Sequence, residues 1–101
     1  MRKKYKISRK AQQDLSEIWR YTLEKWSIEQ ADIYIGSILS AFADIERAPE
    51  LLGRPFDDIR NGYRKYPVGK HIIFYRLLSD GTVFISRILH ERMNFDRHLK
   101  K

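Results

Sequence analysis

Arg64, Arg76, Arg87 and His90 are the side chains of this sequence best suited to chemistry. Arg76 and Arg87 stand inside the apolar runs FYRLL and ISRIL, where a lone cation is costly. Each must meet an acid, with Asp44, Glu46 and Glu91 as candidates, or present its guanidinium to a phosphate or a partner's carboxylate. Arg64 and the adjacent Lys65 extend the same basic character. His90 closes one of the runs. An imidazole with a near-neutral pKa could move protons there, although bonding to backbone at a strand's exit is the commoner role. His71 and His98 are less promising, and three scattered histidines do not make ligand spacing for a metal. The sequence contains no HExxH, no phosphate-binding glycine loop and no Ser/His/Asp set.

These residues sit in the stretch from Asn61 to His90, which reads as an antiparallel meander of three strands. Gly62, Gly69 and Gly81 supply the turn positions. Ile72–Tyr75, Val83–Ile85 and Ile88 are the β-branched and aromatic types that pack well in sheets. Simple alternation places Ile72, Phe74 and Arg76 on one face of the middle strand, with His71, Ile73 and Tyr75 on the other. In the last strand it groups Val83, Ile85, Arg87 and Leu89 against Phe84, Ser86, Ile88 and His90.

Upstream, Tyr5–Ile7 suggests a short edge strand, and Ser8 can cap a following helix. Ala11, Leu15, Ile18, Trp19, Thr22 and Trp26 form one stripe of that helix, with Asp14 placed largely opposite. Ser27 with Gln30 starts a second helix bearing Ala31, Ile35, Ile38, Leu39, Phe42 and Ile45. Ala48-Pro49 stops it. Two amphipathic helices joined by one capping residue should fold as a hairpin. A connector from Glu50 to Arg60 is then pinned by Leu51, Leu52, Phe56 and Ile59, and residues 91–101 form a charged tail. The expected fold is α+β, β-α-α-β-β-β, with the hairpin on one face of a small antiparallel sheet. Two helices cover only one face, so the other should be an apolar, basic interaction surface unless tail and connector cover it.

A chain of 101 residues makes a single domain, 1–101, and 43% hydrophobic content makes it globular. Without cysteine there is neither a disulfide nor a thiolate site. No apolar run approaches the roughly 20 residues of a membrane span, and no secretory leader is visible, so a cytoplasmic location is expected. The net charge of +7 predicts an acidic partner: nucleic acid, a nucleic-acid enzyme or an acidic protein.

Three segments together, GYRKYP (62–67), HIIFYR (71–76) and SRILH (86–90), with Ala11-x-x-Asp14-Leu15-x-x-Ile18, resemble the ParE branch of the RelE/ParE toxin superfamily. The resemblance implies the toxin of a bacterial toxin–antitoxin pair that stalls DNA gyrase and is neutralised by a ParD-like antitoxin. It implies no cofactor. An acidic amphipathic segment would suit a basic sheet face, which places antitoxin contacts at Arg64, Lys65, Arg76 and Arg87. The charged tail, through Glu91, Arg92, Met93, Asn94, Phe95 and Arg97, is the expected target contact. Its deletion should then spare the fold.

The same superfamily offers a second reading, a RelE-like ribosome-dependent mRNA endonuclease. That chemistry needs cations at the scissile phosphate and a proton carrier, roles open to Arg64, Arg76, Arg87 and His90. The tail carries Phe95 where such an enzyme might place a tyrosine, and phenylalanine transfers no proton. A third reading is a basic module that binds nucleic acid directly, with Phe74, Tyr75 and Phe84 stacking on bases.

Overall fold

The computed structural model describes residues 5–57, 62–93 and 95–99. They run β1 (Tyr5–Ile7), α1 (Arg9–Lys25), α2 (Ile28–Arg47), α3 (Pro49–Leu52), β2 (Arg54–Pro55), β3 (Arg64–Val68), β4 (His71–Leu77), β5 (Val83–His90) and α4 (Phe95–Leu99). Both expected caps form. Ser8 Oγ accepts the Ala11 N–H at 2.9 Å, and Ser27 Oγ accepts the Gln30 N–H at 3.1 Å.

The sheet order is β1-β5-β4-β3-β2. Strands β3, β4 and β5 form the expected meander, turning at Gly69 (φ 57°) and Gly81 (φ 87°). Two features depart from the sequence reading. β2 adds a fifth strand beside β3, and β1 pairs parallel with β5, Tyr5 opposite Val83 and Ile7 opposite Ile85. The helical hairpin, α3 and strands β2–β4 together make the long connection between this parallel pair.

Alternation also fails at one point. Phe74 faces Arg87 while Tyr75 faces Ile85, so Ser86 is the extra residue of a β-bulge. The bulge re-aims the end of β5. Val83, Ile85 and Ile88 join Ile73 and Tyr75 under the helices, and Leu89 turns to the opposite face beside Ile72 and Phe74.

The sheet therefore separates two cores. The larger combines Ala11 and Ile18 of α1, and Ile38, Phe42 and Ile45 of α2, with the inner sheet residues. The smaller gathers Tyr63, Phe74, Leu89 and Leu99, flanked by Phe56, Ile72 and Phe95. Its rings meet closely, with Phe74 and Phe95 centroids 4.9 Å apart and Phe56 and Phe74 at 5.6 Å. The second face is thus covered by α4 and the connector, and the tail is not outside the core. A 101-residue chain has few other means of keeping that much apolar surface from water.

Several apolar positions are also corrected. Trp26 follows α1 and is 75% exposed, Leu39 lies at the helix rim, and Leu51 and Leu52 are exposed. Ile59 lies outside the described residues. The connector is held by Phe56 in the smaller core, as expected, and by polar bonds. Tyr75 donates its hydroxyl proton to the Pro49 carbonyl at 2.7 Å and accepts the Gly53 N–H at 3.0 Å. A side chain at Gly53 would collide with that phenol, which explains the glycine.

Candidate binding site

Arg87 meets an acid, but not one of the three expected. Its Nε and Nη2 each donate to Asp14 at 2.9 Å, and its Nη1 reaches the His98 carbonyl at 3.3 Å. Asp14 is buried on α1 between Ala11 and Ile18, and its position follows from the short β1. Past Ile85, β5 has no strand on its outer side. The Ser8 hydroxyl donates to the Ser86 carbonyl at 2.7 Å, and Asp14 then accepts the Ile88 N–H at 2.9 Å. One carboxylate closes an open sheet edge and neutralises a strand arginine. The bond to Asp14 raises the Arg87 pKa further above its usual value. Arg87 is a structural cation here.

Arg64 is likewise committed. It donates through Nη2 to the carbonyls of Gly53 and Glu50, the latter at 3.0 Å, and its Nε lies 3.4 Å from the Tyr75 hydroxyl. Lys65, opposite Phe74 on the other face, places its ammonium 4.6 Å from the Phe56 ring centre. Arg76 lies over Phe84 at 5.1 Å, a cation–π contact with no carboxylate among the described residues.

His90 faces His71 across β4 and β5, with ring centres 5.3 Å apart. The His90 Nδ1 accepts the Arg92 N–H at 3.1 Å, so in the neutral ring the proton sits on Nε2. The Tyr34 hydroxyl accepts the Lys70 N–H at 3.1 Å and contacts His71 Nδ1 at 2.7 Å. Burial, reinforced by His90, lowers the His71 pKa to about 4, so this ring is neutral, and the Tyr34 hydroxyl also lies 3.4 Å from the Val68 carbonyl. The four residues suggested for phosphate chemistry do not converge. Arg64 bonds the connector, four residues along β4 from the His71–His90 pair, and Arg76 and Arg87 lie on the opposite face.

The two histidines instead floor a groove between α1 and the ends of β4 and β5. One cavity of about 280 Å³ is lined by Asp14, Glu17, Ile18, Tyr21, His71, Ile88, His90 and Met93. A second of about 380 Å³ shares Tyr21, His71 and His90 and extends to Trp26, Tyr34 and Arg92. Tyr21, Trp26 and Met93 are 61%, 75% and 44% exposed, large apolar surfaces along one rim. Sequence reasoning missed this groove. The available signal was an acid, Asp14, at helical spacing between Ala11 and Ile18, with Tyr21 three residues further on.

Of the tail residues named as target contacts, Glu91, Arg92 and Met93 form an exposed turn at the groove's edge, whereas Phe95 is packed in the smaller core. Asn94 and the Arg97 side chain lie outside the described residues. Among the described residues no cluster of histidine and carboxylate side chains could hold a metal ion, and no helix is long and apolar enough to cross a membrane.

A helical hairpin packed on a five-stranded sheet defines a small α+β fold that solved structures share. A chain from a structure described as the chromosomal ParDE TA system from P. aeruginosa superposes with a TM-score of 0.77 at 21% identity, covering 87% of this chain and 95% of that one. One from the RelBE2 toxin-antitoxin complex of Mycobacterium tuberculosis gives 0.64 at 21%, covering 89% and 99%. These likenesses concern the fold. Sequence is more specific. The family described as ParE toxin of type II toxin-antitoxin system, parDE, matches residues 5–95. Toxin ParE1 of Mycobacterium tuberculosis is 41% identical over 99 residues, 98% of this chain and 100% of that protein. Toxin ParE1 of Caulobacter vibrioides is 38% identical over 97 residues, 96% and 98%. The chain belongs to the ParE toxin family of type II toxin–antitoxin systems.

Proposed function

We propose that this protein is a cytoplasmic, non-enzymatic toxin that inhibits DNA gyrase and is silenced by a ParD-like antitoxin. The antitoxin lays an amphipathic segment into the groove at Tyr21, His71, His90 and Met93. The observation that carries the reading is the state of three of the four residues suited to cleavage, the fourth, Arg76, having no ion pair among the described residues. Arg64 and Arg87 spend their guanidinium groups on Gly53, Glu50, Asp14 and His98, and the His90 Nδ1 lone pair already holds a backbone N–H. A neutral His90 then keeps its proton on Nε2 and has no free lone pair with which to take one from a nucleophile. That supports inhibition by binding over RNA cleavage. We place the antitoxin in the groove rather than at the sheet arginines, because α4 and Phe56 cover part of the face first suggested. The apolar walls suit the apolar side of such a segment, and the mixed rim, Lys70 and Arg92 beside Glu17 and Glu91, suits a polar side carrying both signs of charge.

The test is a gyrase supercoiling assay with the purified chain, repeated with excess antitoxin. Inhibition relieved by the antitoxin is the expected result. No inhibition at a large molar excess would overturn the gyrase assignment and direct attention to ribosome-dependent mRNA cleavage.

A further inference from the structure

On the face opposite the groove, the beginning of α1, the C-terminal end of β4, the middle of β5, and α4 surround a cleft of about 280 Å³. Its charged lining comes from segments distant in sequence: Arg9 and Lys10 from α1, Arg76 from β4 and Arg87 from β5, with His98 of α4 beside them. Arg87 is neutralised by Asp14. Arg9, Lys10 and Arg76 form no ion pair among the described residues. Three cations with no ion pair among the described residues, set around one concavity, give a positive local potential.

The neutral groups there favour the same type of ligand. Phe84 supports the Arg76 guanidinium at 5.1 Å, and an arginine stacked on a ring keeps its N–H edge available for an oxyanion. The Tyr63 and Ser86 hydroxyls lie 3.0 Å apart. Two hydroxyls sharing one hydrogen bond retain a second proton that neither needs, and it can be donated to a ligand. A guanidinium fork, an ammonium and a hydroxyl approaching from different sides suit the several oxygens of a tetrahedral anion better than one planar carboxylate.

We propose that this cleft is a phosphate-binding site, taking either the backbone phosphate of a nucleic acid or a small phosphorylated ligand. The inference requires neither an antitoxin nor gyrase, and rests only on the convergence of Arg9, Lys10, Arg76 and the Tyr63–Ser86 pair.

Amide NMR spectra of the purified chain would be recorded during titration with inorganic phosphate at constant ionic strength, then with a single-stranded DNA 12-mer. Saturable shifts concentrated at Arg9, Lys10, Arg76 and Ser86 are expected. Arg76→Gln should weaken the binding by about tenfold, the scale of one charge-assisted hydrogen bond. Lys10→Glu provides a second variant at an exposed helix position, where the fold is insensitive to the change. Shifts with both probes assign the site to nucleic-acid backbone, and the DNA affinity should then fall with salt by about −0.7 in the log–log slope per phosphate held. Shifts with inorganic phosphate alone assign it to a small phosphorylated ligand. Three results would each overturn the proposal: shifts spread evenly to Lys25 and Lys70, unchanged affinity in both variants, or a deca-glutamate peptide binding the same amides as tightly as the DNA.

Discussion

Arg87 on β5 and Asp14 on α1, far apart in sequence, meet through two parallel bonds of 2.9 Å, and the same carboxylate holds the Ile88 N–H. The side chains are only 15% and 10% exposed. Removing one partner of a pair so shielded leaves a charge without compensation. Asp14→Ala should cost about 3 kcal/mol in urea unfolding. Asp14→Asn, which can still accept the Ile88 N–H, should cost clearly less. Equal losses would mean that the edge-closing bond contributes nothing.

The connector offers a second test. The Tyr75 hydroxyl both donates to Pro49 and accepts from Gly53. Tyr75→Phe leaves the Gly53 N–H buried without that partner, at a cost of about 1–3 kcal/mol. Thermal unfolding should record the loss, and amide exchange should speed up at Gly53 before it does in β5.

The pH dependence follows from His71. Its imidazole titrates at about 4 in the fold, against 6.5 for the unperturbed group. Between these values the unfolded chain binds more protons, so the contribution is complete above about pH 6.5 and is lost as the pH falls toward 4. Because the ring is partly solvated, the change should be about 1 kcal/mol. Urea unfolding of the wild type and His71→Gln at pH 7 and 4.5 isolates it. The gap between them should narrow at the lower pH.

The C-terminal helix should matter for stability. Leu99 is 4% exposed against Tyr63, Phe74 and Leu89. Leu99→Ala should cost about 2–3 kcal/mol in chemical denaturation. Deleting residues 91–101 should lower the melting temperature as well as any toxicity, so truncation alone cannot locate a target contact.

The groove can be probed without disturbing either core. Met93 and Tyr21 are largely exposed, so Met93→Glu and Tyr21→Glu should leave the melting temperature unchanged. Each should weaken a ParD-like antitoxin by about tenfold or more in a calorimetric titration, as loss of an interface anchor does. Full affinity in both variants would place the antitoxin elsewhere.

Much of the scaffold was decided by local chemistry in the sequence. Ser8 and Ser27 start helices, Pro49 follows the end of one, and Gly69 and Gly81 turn the meander, because caps and positive-φ turns depend on neighbouring residues only. The heptad-like spacing of Ala11, Ile18, Ile38, Phe42 and Ile45 likewise identified the inner faces of the helices. What the tertiary structure alone decided is where each polar side chain spends its bonds. A bulge at Ser86 reverses the alternation of β5, and nothing local in ISRILH announces it. Asp14 reads as a solvent-facing acid until a short β1 leaves the edge of β5 open beside it. Arg64 reads as a ligand-binding cation until the connector carbonyls arrive within its reach. The tail reads only as a charged segment because five residues make a weak helix alone, and it is fixed by the apolar face that two helices cannot cover. Propensity and periodicity are properties of neighbouring residues, whereas the partners of a buried charge come from segments that meet only after the chain has folded.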